Sequence, residues 1–210
     1  MNKFDINISI DSLKPFNKKK INSEDIIEKR KFDESFSFLK DLFSVEFREC
    51  IFEKVNFSSI KLEKCSFTDC IFKNCDFSNL YFSNQTLIRC HFSSCKLLGM
   101  NFYQSYLYKV LFNNSNLRYS NFSSCKMREI IFSESNLDEG RFFDNLFQKV
   151  SFSLCSMIRI EIRSCSLKDV DLSDSVIDGI KISPHEVNGL VLNEYQACFI
   201  AQILGIIIKC

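Results

Sequence analysis

The sequence predicts an all-β solenoid, a chain that turns a corner every five residues and closes a square coil after about four units. Three observations predict it. Stepping by five from Phe47 to Ile182 visits 28 positions, which hold 15 Phe, 8 Leu, 3 Ile and 2 Met and no polar residue. Two residues before each of these, the 28 positions from Val45 to Ile180 hold mostly small or slim side chains, including 9 Cys, 5 Ser, 5 Val and 4 Ile. The remaining three places of each unit carry mostly Ser, Asn, Lys, Arg, Asp and Glu. A helix face repeats near 3.6 and a strand face at 2, so a pattern of two in and three out fits neither.

Residues 1–41 lie before the clear repeat and read as an N-terminal arm or cap. Ser23 is placed as the N-cap of a short helix through Glu24, Asp25, Ile26 and Ile27. The Lys18–Lys20 run reads as a solvated corner. Residues 42–192 form the repeat, and its phase never slips between 47 and 182. With only 5 Gly and 2 Pro in the chain, other residues must make the corners.

If four units make a coil, residues 20 apart stack. Phe52, Phe72, Phe92, Phe112, Phe132 and Phe152 then form one aromatic column, continued by Leu172. Cys50, Cys70 and Cys90 form a ladder, as do Cys65, Cys125 and Cys165. Seven coils at the usual interstrand spacing give a rod of roughly 34 Å.

The open end of such a stack is a sheet edge and needs a cap. Residues 193–210 supply one: an amphipathic helix over Tyr195–Leu204, Gly205 as its C-cap, and Ile206–Ile208 as a short terminal strand. This tail carries more apolar surface than one coil end needs. Tyr195, Phe199, Ile200, Ile203, Leu204, Ile206 and Ile208 are therefore expected to pair with a second copy, giving an end-to-end homodimer.

The chain shows no Gly-rich phosphate loop, paired catalytic carboxylates or Cys/His nucleophile, so a non-enzymatic role without a cofactor is expected. Nine of the 11 Cys fall at the small inward place, which reads as buried small hydrophobes and not as metal ligands. His91 and His185 read as surface residues. The N-terminus lacks the apolar core of a signal peptide, and "FIAQILGIII" is too short to span a bilayer. A cytoplasmic protein without membrane contact is expected. The net charge of +1 gives no general licence for direct nucleic-acid binding.

The units "CDFSN" at Cys75–Asn79, "SNLRY" at Ser115–Tyr119, "SNFSS" at Ser120–Ser124 and "SNLDE" at Ser135–Glu139 resemble the pentapeptide-repeat family, written A(D/N)LXX around a central Leu or Phe. The resemblance covers about two-thirds of the chain and implies a right-handed quadrilateral β-helix. The ending "LNEYQACFIAQILGIIIK" is similar to that of the Qnr quinolone-resistance proteins. "DIIEKR" at Asp25–Arg30, with "SPHEVNGL" before the tail, resembles the immunity proteins against gyrase-poisoning microcin. Both resemblances imply a dimeric DNA mimic that binds DNA gyrase or topoisomerase IV and protects it from quinolones or a gyrase-directed toxin.

A DNA mimic needs outward carboxylates. Residues 41–182 hold 17 acidic and 17 basic side chains, unlike the markedly acidic rods of that family. Glu129, Glu134, Glu139 and Asp144 recur at one outward place of four successive units. Asp169, Asp171, Asp174 and Asp178 follow, with no basic residue between Lys168 and Lys181. These eight are the candidate topoisomerase-facing residues. A generic scaffold solenoid is the alternative, favoured by the balanced charge.

Overall fold

The inward phase of the sequence is the inward phase of the structure. A computed structural model describes residues 6, 8, 12–16, 20–38 and 41–209. All 28 small places from Val45 to Ile180 are buried. So are 26 of the 28 large places, Phe147 and Ile182 being partly buried and packed on the same core.

The coil repeats every 20 residues in a parallel ladder: Ile26 pairs with Glu46, then Ser66, Thr86, Tyr106, Lys126 and Leu146 in turn. We number the four faces by their large inward residue, face 1 from Phe47, face 2 from Phe52, face 3 from Phe57 and face 4 from Leu62. Faces 1 and 2 share long strands, Ser66–Lys73, Thr86–Ser93, Tyr106–Asn113, Lys126–Ser133 and Leu146–Ser153. Face 3 is joined by single bridges, Asn56 to Asp76 to Lys96 and onward to Val176.

The corners answer the shortage of glycine. Twenty-six non-glycine residues among those described have φ between 47° and 68°, all in one phase of the repeat, from Glu24 to Asp169. The left-handed region costs an L-residue roughly 1–2 kcal/mol. The neighbouring coil offsets it by accepting the corner N–H: Lys54 N donates to Lys73 O at 2.9 Å and Asn79 N to Leu98 O at 2.7 Å. The Asn or Asp before the central residue tightens the unit, as when Asn56 Oδ1 accepts from Ser58 N and Asp76 Oδ1 from Ser78 N, each at 2.9 Å.

The aromatic column forms as expected, with ring centroids 4.5–5.0 Å apart from Phe52 to Phe152. It begins one coil earlier, at Phe32 stacked on Phe52 at 4.5 Å. The inward cysteines are buried, and their thiols also donate to the coil below. Cys90 Sγ lies 3.3 Å from Phe67 O and Cys125 Sγ 3.0 Å from Phe102 O. Ser105 and Ser120 do the same for Phe82 O and Leu97 O at 2.8 and 3.0 Å, which explains why Cys and Ser alternate there.

Three expectations are corrected. Ile26–Glu28 is a strand paired with Glu46–Arg48 and not the first turn of a helix. Ile27 falls 20 residues before Phe47 and is drawn inward, while Glu24 takes a corner at φ 68°. Ile206–Ile208 is not a strand, because helix α1, Glu194–Ile203, already covers the coil edge beside it and leaves no ladder to join. His91 is half-buried on face 2 between Ile71 and Leu111, whereas His185 is exposed. Lys18, Lys19 and Cys210 lie outside the described residues.

Candidate interaction surfaces

The C-terminal cap is built from helix α1, Glu194–Ile203. Asn193 opens it with a capping box, its Oδ1 accepting from Gln196 N at 3.0 Å while Gln196 Oε1 accepts from Asn193 N at 2.9 Å. Gln196 is buried, and its Nε2 donates to Leu172 O and Ser175 O at 2.8 and 2.7 Å. Asn193 Nδ2 donates to Ser173 O at 2.8 Å. The cap therefore satisfies three carbonyls of the last full coil. The helix closes with a Schellman motif, Ile206 N to Ala201 O and Gly205 N to Gln202 O, with Gly205 at φ 83°. The amphipathic pattern pointed to the helix; the spacing Asn193-x-x-Gln196 was the available sign of its capping role.

Beside the helix, Glu186 anchors the loop that precedes it. Its carboxylate is buried and accepts from Ser164 N at 2.8 Å, Ser183 N at 2.9 Å and the Ser183 hydroxyl. Burial works to raise its pKa, but these hydrogen bonds prevail and hold it below the usual value. Between the last coil and α1 lies a groove of about 740 Å³ lined in part by Ile162, Ile180, Ile182, Phe199 and Ile203.

The expected dimer residues divide. Ile200 is enclosed in the chain's own core, and Phe199 and Leu204 pack partly against it. Tyr195, Ile203, Ile206 and Ile208 remain exposed, with Ile207 beside them at 87 %. Apolar side chains this open, gathered in one short segment, mark a candidate contact surface.

The eight carboxylates do not share a face. Glu129, Glu134, Glu139 and Asp144 are successive corners, with φ of 51–58°, so they ring one coil. Two of them are neutralised: Glu129 lies 3.8 Å from Lys109 and 3.6 Å from Arg128, and Glu139 lies 2.9 Å from Arg159 and 3.4 Å from Arg118. The hydrogen-bonded Arg159 guanidinium holds the Glu139 carboxyl below its ordinary pKa.

Glu134, Asp144, Asp169, Asp171, Asp174 and Asp178 have no ion pair among the described residues. Asp171 accepts from Ser173 N at 2.8 Å, and Ser173 lowers its pKa. Asp174 accepts from the Ser153 and Ser175 hydroxyls at 2.9 and 3.1 Å. Face 2 carries no Lys or Arg at its outward places from His91 to Asp174, so Glu134, Asp171 and Asp174 stand there uncompensated. Among the described residues no group of three or more His, Cys, Asp or Glu is placed to hold a metal ion. No helix among them is long and apolar enough to cross a membrane.

Comparison with known proteins agrees with this coil. A family described as "Pentapeptide repeat region" matches residues 65–142, and one described as "Pentapeptide repeats (8 copies)" matches residues 41–79. No curated protein matches the chain. Among solved structures, HetL, from the cyanobacterium Nostoc sp. strain PCC 7120, is 15 % identical. That match covers 80 % of this chain and 90 % of HetL, with a TM-score of 0.41. Full-length QnrB1, a plasmid-mediated fluoroquinolone resistance protein, is 18 % identical over 86 % of this chain and 97 % of its own, with a TM-score of 0.31. A thylakoid-lumen repeat protein of Arabidopsis thaliana is 17 % identical over 61 % of this chain and 72 % of its own, with a TM-score of 0.26. From residue 41 to 142 the chain matches pentapeptide-repeat families, and the coil carries the same five-residue step on to Ile182.

Proposed function

We propose that the chain is a non-enzymatic interaction rod that pairs with a second copy through its C-terminal cap and binds a bacterial type II topoisomerase. In this reading it shields DNA gyrase or topoisomerase IV, in the cytoplasm, from a quinolone or a gyrase-directed toxin. The observation that carries it is the C-terminal end. There an exposed apolar strip, Tyr195, Ile203 and Ile206–Ile208, lies close in sequence and fold to the unpaired Asp169, Asp171, Asp174 and Asp178. A second copy joined at that strip would double the local negative field. The Qnr-like ending of the sequence supports the choice of target.

The balanced outward charge and the spread of carboxylates over all four faces favour the alternative of a scaffold rod without a topoisomerase role. Supercoiling by purified gyrase with a fluoroquinolone present, across a titration of this protein, separates the two. Rescue at near-stoichiometric protein, abolished by Asp171→Lys with Asp174→Lys, is the expected result. Lack of any effect on gyrase or topoisomerase IV at tens of micromolar would leave the scaffold reading.

A further inference from the structure

We infer that face 1 carries a second binding site, for the phosphate backbone and bases of single-stranded nucleic acid. This does not depend on the topoisomerase reading. The whole-chain charge of +1 conceals the site, because the 20-residue coil sorts charge by face. The outward places of face 1 from Tyr106 to Asp169 hold Lys109, Lys126, Arg128, Lys149 and Lys168 against Asp169 at the last corner and one other carboxylate, Glu129. Lys109 and Arg128 share that carboxylate at 3.8 and 3.6 Å. Lys126, Lys149 and Lys168 make no ion pair among the described residues. The adjoining face 2 has only carboxylates as charged groups over the same coils, so the cations of face 1 border a negative face.

The aromatic residues say what kind of anion fits. Tyr106 is paired directly with Lys126, and Lys126 with Leu146, in adjacent strands. These three, with Arg128 and Gln148, line a shallow cleft of about 220 Å³. Tyr106 is 38 % exposed and Leu146 65 %, so an apolar floor is open to a flat ligand. The Tyr108 ring lies under both the Lys109 ammonium and the Arg128 guanidinium, at 5.4 and 5.3 Å, and steadies the two cations over the sheet. An aromatic and aliphatic cleft within a line of cations is what an unpaired base and its flanking phosphates need. A duplex, whose bases are already stacked, would use the cations and leave the cleft idle. Lys109 to Lys168 spans three coils, roughly 14 Å at the strand spacing, which suits a few nucleotides.

The experiment is fluorescence anisotropy of a labelled oligothymidylate titrated with the full chain at several salt concentrations. Three or four phosphate contacts predict a slope of log affinity against log salt of about −2 to −3. Lys126→Glu with Arg128→Glu should lower affinity by at least about tenfold and flatten the slope by about one or more. Lys54→Glu with Lys73→Glu makes the same net-charge change on face 2 and should leave binding within about twofold. Tyr106→Ala should weaken binding several-fold without changing the slope. Circular dichroism of each variant reports that the coil is intact. Lack of binding at about 50 mM salt, equal losses from the face 1 and face 2 pairs, or binding to phosphatidylserine vesicles but not to the oligonucleotide would each overturn the proposal. Equal affinity for a duplex of the same length would overturn the role of the cleft.

Discussion

The two ends of the rod are finished in opposite ways. At the N-terminal end, a 3-10 turn over Glu34–Phe38 drives Phe36 into the mouth of the first coils. Its ring lies against Phe32, Phe47, Phe52 and Phe57 at 4.6–6.4 Å, and Phe16 covers Phe32 at 4.7 Å. The edge beside it is completed by Lys14–Pro15 paired with Arg30–Lys31. At the C-terminal end the core has already turned from aromatic to aliphatic, with Met157, Ile162, Leu167, Leu172 and Ile177 at the large places. Gln196 and Asn193 there satisfy backbone carbonyls, and apolar side chains are left facing outward. A solenoid end must cover its core and satisfy its open hydrogen bonds. The N-terminal end covers its core within the chain and pairs part of its edge through Lys14–Pro15. The other meets the hydrogen-bonding demand and leaves apolar surface for something else to cover.

Removing the N-terminal plug tests this contrast hardest. Phe36→Ala should cost about 3–5 kcal/mol in chemical denaturation, because a buried ring with five aromatic neighbours leaves a cavity. Hydrogen exchange should rise first in residues 26–53. If the loss is under about 1 kcal/mol, the plug is decoration. Next comes Gln196→Ala, which deprives the Leu172 and Ser175 carbonyls of their donor and should cost about 1–3 kcal/mol. The opening should be confined to residues 170–204 by hydrogen exchange, and spread along the rod would mean that the end is not an independent unit.

The smallest effect is expected at Glu186. Its folded pKa is depressed, so its stabilisation is present above the unfolded value near 4.3 and is lost as pH falls through the folded one. Thermal melts of the native chain should therefore fall on acidification below about pH 4.3 more steeply than those of Glu186→Gln, by about 1 kcal/mol. Parallel curves would show that the Ser164 and Ser183 contacts do not matter.

Much of this was legible in the residues because the coil imposes one steric rule at every unit. From Phe47 to Ile182 each large residue and the small one two before it are inward, as the five-residue step requires. The N-terminal coil was illegible for a definite reason. Ile27, Phe32 and Leu42 keep the phase, but Ser37 interrupts it, and the chain fills the centre with Phe36 instead, one residue out of step. Charge was misread for a related reason. Totals over residues 41–182 average four faces, whereas taking every twentieth residue separates the cations of face 1 from the carboxylates of face 2. The interior arrangement of Gln196 had no hydrophobic signature to announce it.

The coil's strict count has a consequence for how such a chain can change length. Inserting or deleting 20 residues adds or removes a storey and leaves every later side chain facing the same direction. A change of five turns everything downstream by a quarter, and a change of ten by a half. The angle between the cation-bearing face and the C-terminal cap is thus written as an integer. A copying slip of 60 nucleotides would lengthen the reach of the rod without altering its bearing, while a slip of 15 would keep the core sound and point the two surfaces in new directions.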